Sequence, residues 1–118
     1  MGYDSRLYVV EESTFCLPSD NGKVYAEVIG MIDMRVCYAI KDVFIEDAKG
    51  YIYSDNGNTV IEKDFYGEPL KVASLKEVIV RLKRIIHETD YRRAKIALAF
   101  LEEVYKTMPD CKVYHCGH

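Results

Sequence analysis

A chain of 118 residues that is 49% hydrophobic and 30% charged has the length of one domain and the composition of a packed core, which sets aside the disordered and low-complexity classes. Its formal net charge is only −3, so bulk charge makes no demand for nucleic acid or an acidic membrane, but the charge is unevenly placed. Residues 1–70 hold 6 Lys and Arg against 13 Asp and Glu, a balance of −7, and residues 71–118 hold 10 against 6, a balance of +4.

The opening MGYDSRLYVVEES carries an arginine and acids where a secretory leader needs an apolar stretch, and no window approaches the roughly 18 apolar residues of a membrane span. A cytoplasmic protein is expected. On that expectation Cys16, Cys37, Cys111 and Cys116 read as free thiols rather than disulfides.

RLYVV and KVYAEVIGMIDM are rich in β-branched and aromatic residues and flank the turn former Asp20-Asn21-Gly22, which predicts a first hairpin. In MRVCYAIKDVFIED, Val36, Ile40, Val43 and Phe44 fit a helix, while its Val, Tyr and Ile content also suits a strand; the spacing favours the helix. YIYSDNGNTVIEKD places Asp55-Asn56-Gly57 between two short strand candidates, a second hairpin, with a further strand at residues 70–72. SLKEVIVRLKRIIHETD then sets Leu75, Val78, Ile79, Leu82, Ile85 and Ile86 on one helical stripe, with Ser74 and Glu77 as a capping box. After a break that offers Thr89 or Asp90 as the next cap, Ala97, Phe100, Leu101, Val104 and Met108 form a second stripe that ends before Pro109. KVYHC returns as a short last strand. The predicted fold is α+β over residues 1–118 as a single domain: a small antiparallel sheet packed on one face by two C-terminal helices.

No phosphate-binding glycine loop, zinc-protease helix, nucleophile elbow or calcium loop is present in the sequence, so no enzyme activity, catalytic residue or cofactor is assigned. Cys111, His115, Cys116 and His118 are all zinc-ligand types, yet their spacing is poor. On a strand His115 and Cys116 point to opposite faces, and Cys111 and His115 share a face about 13 Å apart. Buried thiols and exposed histidines are therefore expected. His87 near a helix end reads as a C-terminal cap, and the pairs Glu11-Glu12 and Glu102-Glu103 read as solvated charge.

Arg81, Lys83, Arg84, Arg92, Arg93 and Lys95 gather around the helix junction. Arg92 and Arg93 fall in a first helical turn, where positive charge opposes the helix dipole. Arg81, Arg84, Arg92, Arg93 and Lys95 are thus the candidates for an anion or nucleic-acid phosphate, against a solvated face paired with Glu77, Glu88 and Asp90. Ten tyrosines and no tryptophan suggest an interface, although a β-rich domain also uses tyrosine in its sheet and core. Tyr51, Tyr53 and Tyr66 lie among Asp55, Glu62, Asp64 and Glu68, and this acidic, tyrosine-bearing stretch is the candidate partner-binding surface.

MGYDSRLYVVEE, GNTVIEKDFYGEPLK, DYRRAKIALAFLEE and the ending YHCGH together resemble a family of small, mostly uncharacterised proteins of phages and prophages. The resemblance spans most of the chain as scattered patches and makes His115, Gly117 and His118 the family-like positions, with Cys116 a departure. It implies an intracellular protein that binds a host protein, including as an inhibitor of bacterial defence of the anti-CRISPR kind. Separately from the resemblance, the balance of −7 in residues 1–70 is read in two ways, as an imitation of nucleic-acid charge toward a basic, nucleic-acid-handling partner or as a solvated surface that only keeps the chain soluble. The alternatives are a nucleic-acid-binding module built on the basic junction, for which only weak binding is expected, and a small hydrolase or metal-dependent enzyme.

Overall fold

A computed structural model describes residues 5–12, 25–35, 37–48, 51–53, 60–61 and 69–117. The strands are β1 (Ser5–Glu12), β2 (Tyr25–Arg35), β3 (Glu46–Asp47), β4 (Tyr51–Tyr53), β5 (Val60–Ile61), β6 (Lys71–Ser74) and β7 (Lys112–Gly117), with helices α1 (Leu75–Thr89) and α2 (Arg92–Thr107) between β6 and β7. They form one sheet in the order β3-β6-β7-β1-β2-β4-β5. Both hairpins are present as antiparallel pairs, β1 with β2 and β4 with β5; the turn formers at 20–22 and 55–57 lie outside the described residues. The sheet is antiparallel except where Tyr25–Glu27 of β2 runs parallel to Tyr51–Tyr53 of β4.

The last strand takes a central place. β7 pairs with β1 on one side, Tyr8 opposite Tyr114, and with β6 on the other, Val72 opposite Tyr114. Strand alternation sends Leu7, Val9 and Val113 to the cluster that α1 and α2 cover, and Tyr8, Val10 and Tyr114 to a smaller cluster with Val28, Leu70 and Cys116. Both faces of the central strands are therefore buried, and of KVYHC only Lys112 is exposed.

α1 follows its stripe: Leu75, Val78, Ile79, Leu82 and Ile85 are buried, and the Ser74 hydroxyl accepts from the Glu77 amide at 3.2 Å. α2 buries Ala94, Ala97, Leu101 and Val104, with Phe100 and Met108 packed at the edge. Where α2 crosses β2, Gly30 leaves room for the Phe100 ring; a Cβ there would come within 2.5 Å of it. The helix junction differs from the reading of Thr89 or Asp90 as a cap. Asp90 adopts a left-handed conformation, φ 54°, that closes α1, and Tyr91 is the N-cap residue of α2 without a side-chain cap bond. Thr89 donates its hydroxyl back to the Ile85 carbonyl at 2.7 Å and so belongs to α1.

The ambiguous stretch at 34–47 holds no α-helix among its described residues, from which Val36 is left out. β2 runs through Met34 and Arg35, a 3-10 helix spans Tyr38–Val43, and β3 follows at Glu46. Ile40 and Phe44 do reach the core, and Val43 packs at its edge, as the spacing indicates. The six residues of the 3-10 helix and its C-cap Phe44 suffice to deliver them, and the chain regains the sheet edge at Glu46.

Candidate functional site

The basic residues gathered near the junction divide according to what each touches. The Arg81 guanidinium donates to the Ala39 carbonyl at 2.8 Å and pairs with Asp42 at 3.1 Å, fastening the 3-10 segment to α1. Arg93 donates to the Asp33 carbonyl at 2.6 Å, and the Tyr91 hydroxyl donates to the Met34 carbonyl at 2.6 Å. These two hold the end of β2, where Arg35 turns through a left-handed φ of 55° and donates its amide to Asp33. Arg93 in the first turn of α2 thus has an internal role that outweighs its opposition to the dipole. Lys95 pairs with Asp90. Among the described residues the surface-pairing expectation holds for Asp90 and not for Glu77 or Glu88; the partner of Arg81 is Asp42, which sequence distance concealed. Of the five candidates, Arg84 and Arg92 remain exposed and without an ion-pair partner among the described residues. The junction is not one basic cluster.

The C-terminal strand also reads differently in the structure. His115 is buried, 5% exposed, which corrects the expectation of an exposed histidine. Its Nε2 lies 2.8 Å from the hydroxyl of the fully buried Ser5, and its ring stacks on Phe44 with centroids 4.6 Å apart. Burial first, and then the charge of Lys41, push its imidazole down to about 4. A serine and a histidine at this distance resemble a nucleophile and its base, but both are shut within the core, where a substrate carbonyl has no access. Cys111 is buried in the helix-side cluster and Cys116 in the opposite one. Burial pushes the Cys111 thiol up, away from the thiolate a metal needs. Among the described residues no group of three or more His, Cys, Asp or Glu side chains is placed to hold a metal ion. His118 lies outside the described residues.

The acidic candidate surface lies mostly beyond description: Asp55, Glu62, Asp64, Tyr66 and Glu68 fall outside the described residues, and Tyr51 and Tyr53 are placed by backbone only, in β4. Of the other tyrosines, Tyr8 and Tyr114 are buried in the sheet, and the Tyr114 hydroxyl donates to Glu12 at 2.9 Å. Tyr38 is exposed.

A site that the sequence did not single out lies along α1. An open groove of about 690 Å³ runs between α1 and the stretch from the 3-10 helix into β3. Val43, Val72, Ile45 and Val80 supply its apolar walls, and Lys76 and Arg84 stand on α1 beside it, facing Asp42 and Glu46. Ile45 is 80% exposed and Val80 55%. Lys76, Val80 and Arg84 follow one another at i, i+4 and i+8, so a single stripe of the helix forms one wall. Periodicity could have flagged Val80 as the apolar residue outside the buried stripe. Nothing local could have placed Ile45 across from it.

Comparison with known proteins finds no match among family models, curated proteins or solved structures. No described helix is long and apolar enough to cross a membrane.

Proposed function

We propose that the chain is a non-catalytic binding protein of phage type that acts in the bacterial cytoplasm by protein–protein contact, as an inhibitor of a basic, nucleic-acid-handling host protein. The observation that supports a protein contact is the exposure of Ile45 and Val80 on the two walls of one groove. Each leaves apolar area in water that a partner would cover, at about 25 cal/mol per Å² removed. The host and the basic partner rest on the resemblance to phage proteins and on the balance of −7 in residues 1–70.

Affinity capture from bacterial cells, with mass spectrometry of what is retained, tests this directly. A single host protein held in stoichiometric amount is the expected result. Reversing Asp55, Glu62, Asp64 and Glu68 to lysine then slows its association, because opposite charge steers encounter more than it holds the complex. An unchanged association rate and salt dependence in that variant, still folded, would remove the charge-mimicry part of the proposal.

A further inference from the structure

We propose that a second groove, on the outer side of the helical hairpin, docks an acidic amphipathic helix of another protein. α1 and α2 leave a cleft of about 300 Å³ floored by Ile79 and Val80 and walled by Tyr105, which is 43% exposed. Its rim carries Lys76, Lys83 and Lys106 against one acid, Glu102. None of the three lysines has an ion-pair partner among the described residues.

The spacing states what fits. Lys76, Ile79, Val80 and Lys83 stand at i, i+3, i+4 and i+7 on α1, and Glu102, Tyr105 and Lys106 at i, i+3 and i+4 on α2. That is an apolar seam bordered by cations, the surface that receives a third helix laid in the groove between two. Leucines of the incoming helix would cover Val80 and Tyr105, and glutamates on its flanks would meet the lysines. A second copy docking groove to groove would set three lysines against three, which like-charge repulsion disfavours. A phosphate backbone would leave the Ile79 and Val80 floor uncovered, whereas single-strand binders line their grooves with stacking rings.

This surface shares Lys76 and Val80 with the groove on the other side of α1, so its test substitutes Lys83, Tyr105 and Lys106, which border the hairpin cleft and not the other groove, with Ile45 of the other groove as the control. The probe is a labelled helical peptide with leucines at i, i+3, i+4 and i+7 flanked by glutamates, beside a peptide of the same composition with the leucines scrambled, and oligo-dT. The full chain binds the patterned peptide, the scrambled one at least about tenfold more weakly, and affinity falls with salt. Lys83→Glu with Lys106→Glu, and separately Tyr105→Ala, each weaken binding about tenfold or more with melting temperature unchanged, while Ile45→Ser leaves it intact. Equal binding of the scrambled peptide, insensitivity to both cleft variants, or tighter binding of oligo-dT than of the peptide would each overturn the proposal.

Discussion

Phe44 and Ile45 are consecutive and similarly apolar, and the molecule treats them in opposite ways. Phe44 is buried and closes over His115, whose ring nitrogen also meets the hydroxyl of Ser5. Ile45 stands in water on the wall of the groove beside α1. One peptide unit separates a region in which polar groups are enclosed from a region in which an apolar group is offered. The difference teaches where function is to be sought: a histidine in the core stabilises, whereas an isoleucine at the sheet edge contributes little to folding and is available to a partner.

Four expectations sharpen or break that contrast. The largest effect belongs to the closed side of α1, where Leu82→Ala costs about 2–5 kcal/mol through lost burial and the cavity left behind; urea unfolding with an unchanged m value is the check.

Next comes the pH dependence of His115. Unfolded, its imidazole titrates near 6.5, and folded it is pushed down to about 4 by burial and by Lys41. The unfolded chain therefore takes up the proton first. Stability from this group is fully present above about pH 6.5 and is lost as pH falls toward 4, by on the order of 2–3 kcal/mol. His115→Gln keeps a partner for Ser5 and removes the titration, so the stability difference between the two proteins should shrink as pH falls through that window.

A smaller effect is expected at the start of α1, where Ser74→Ala leaves the Glu77 amide uncapped at a cost of about 1 kcal/mol in thermal or urea melts. The smallest belongs to the open side: Ile45→Ser and Val80→Ser should each shift stability by no more than about 0.5 kcal/mol. A larger loss at either position would mean that these residues belong to the core and that the contrast is false.

Much of this architecture is legible in the chain because it is written at short range. The 3.6-residue spacing marked the buried stripe of α1 from Leu75 to Ile85, and Ser74 announced its cap. The two Asp-Asn-Gly turn formers stand between strands that do pair. What stayed hidden depends on contacts between distant residues. His115 and Ser5 are 110 positions apart, so a histidine in a tail looked exposed until β7 entered the middle of the sheet. Arg81 and Arg93 looked like parts of a basic cluster because their acceptors, at residues 39, 42 and 33, come from another part of the fold. The groove was hidden for the same reason: its walls are assembled from residues 42–46 on one side and 76–84 on the other. Helix and strand pattern report which residues face inward; they do not say which outward residues face each other.

The proposal turns on contact through the open side, with the enclosed pair serving stability. The most direct test measures binding of the captured host protein to three folded forms: the native chain, Ser5→Ala, and Ile45→Ser with Val80→Ser. The account predicts that Ser5→Ala melts at a lower temperature yet binds as the native chain does, and that the groove variant melts normally and loses at least about tenfold in affinity. Native affinity in the groove variant, or a loss of binding confined to Ser5→Ala, would contradict it.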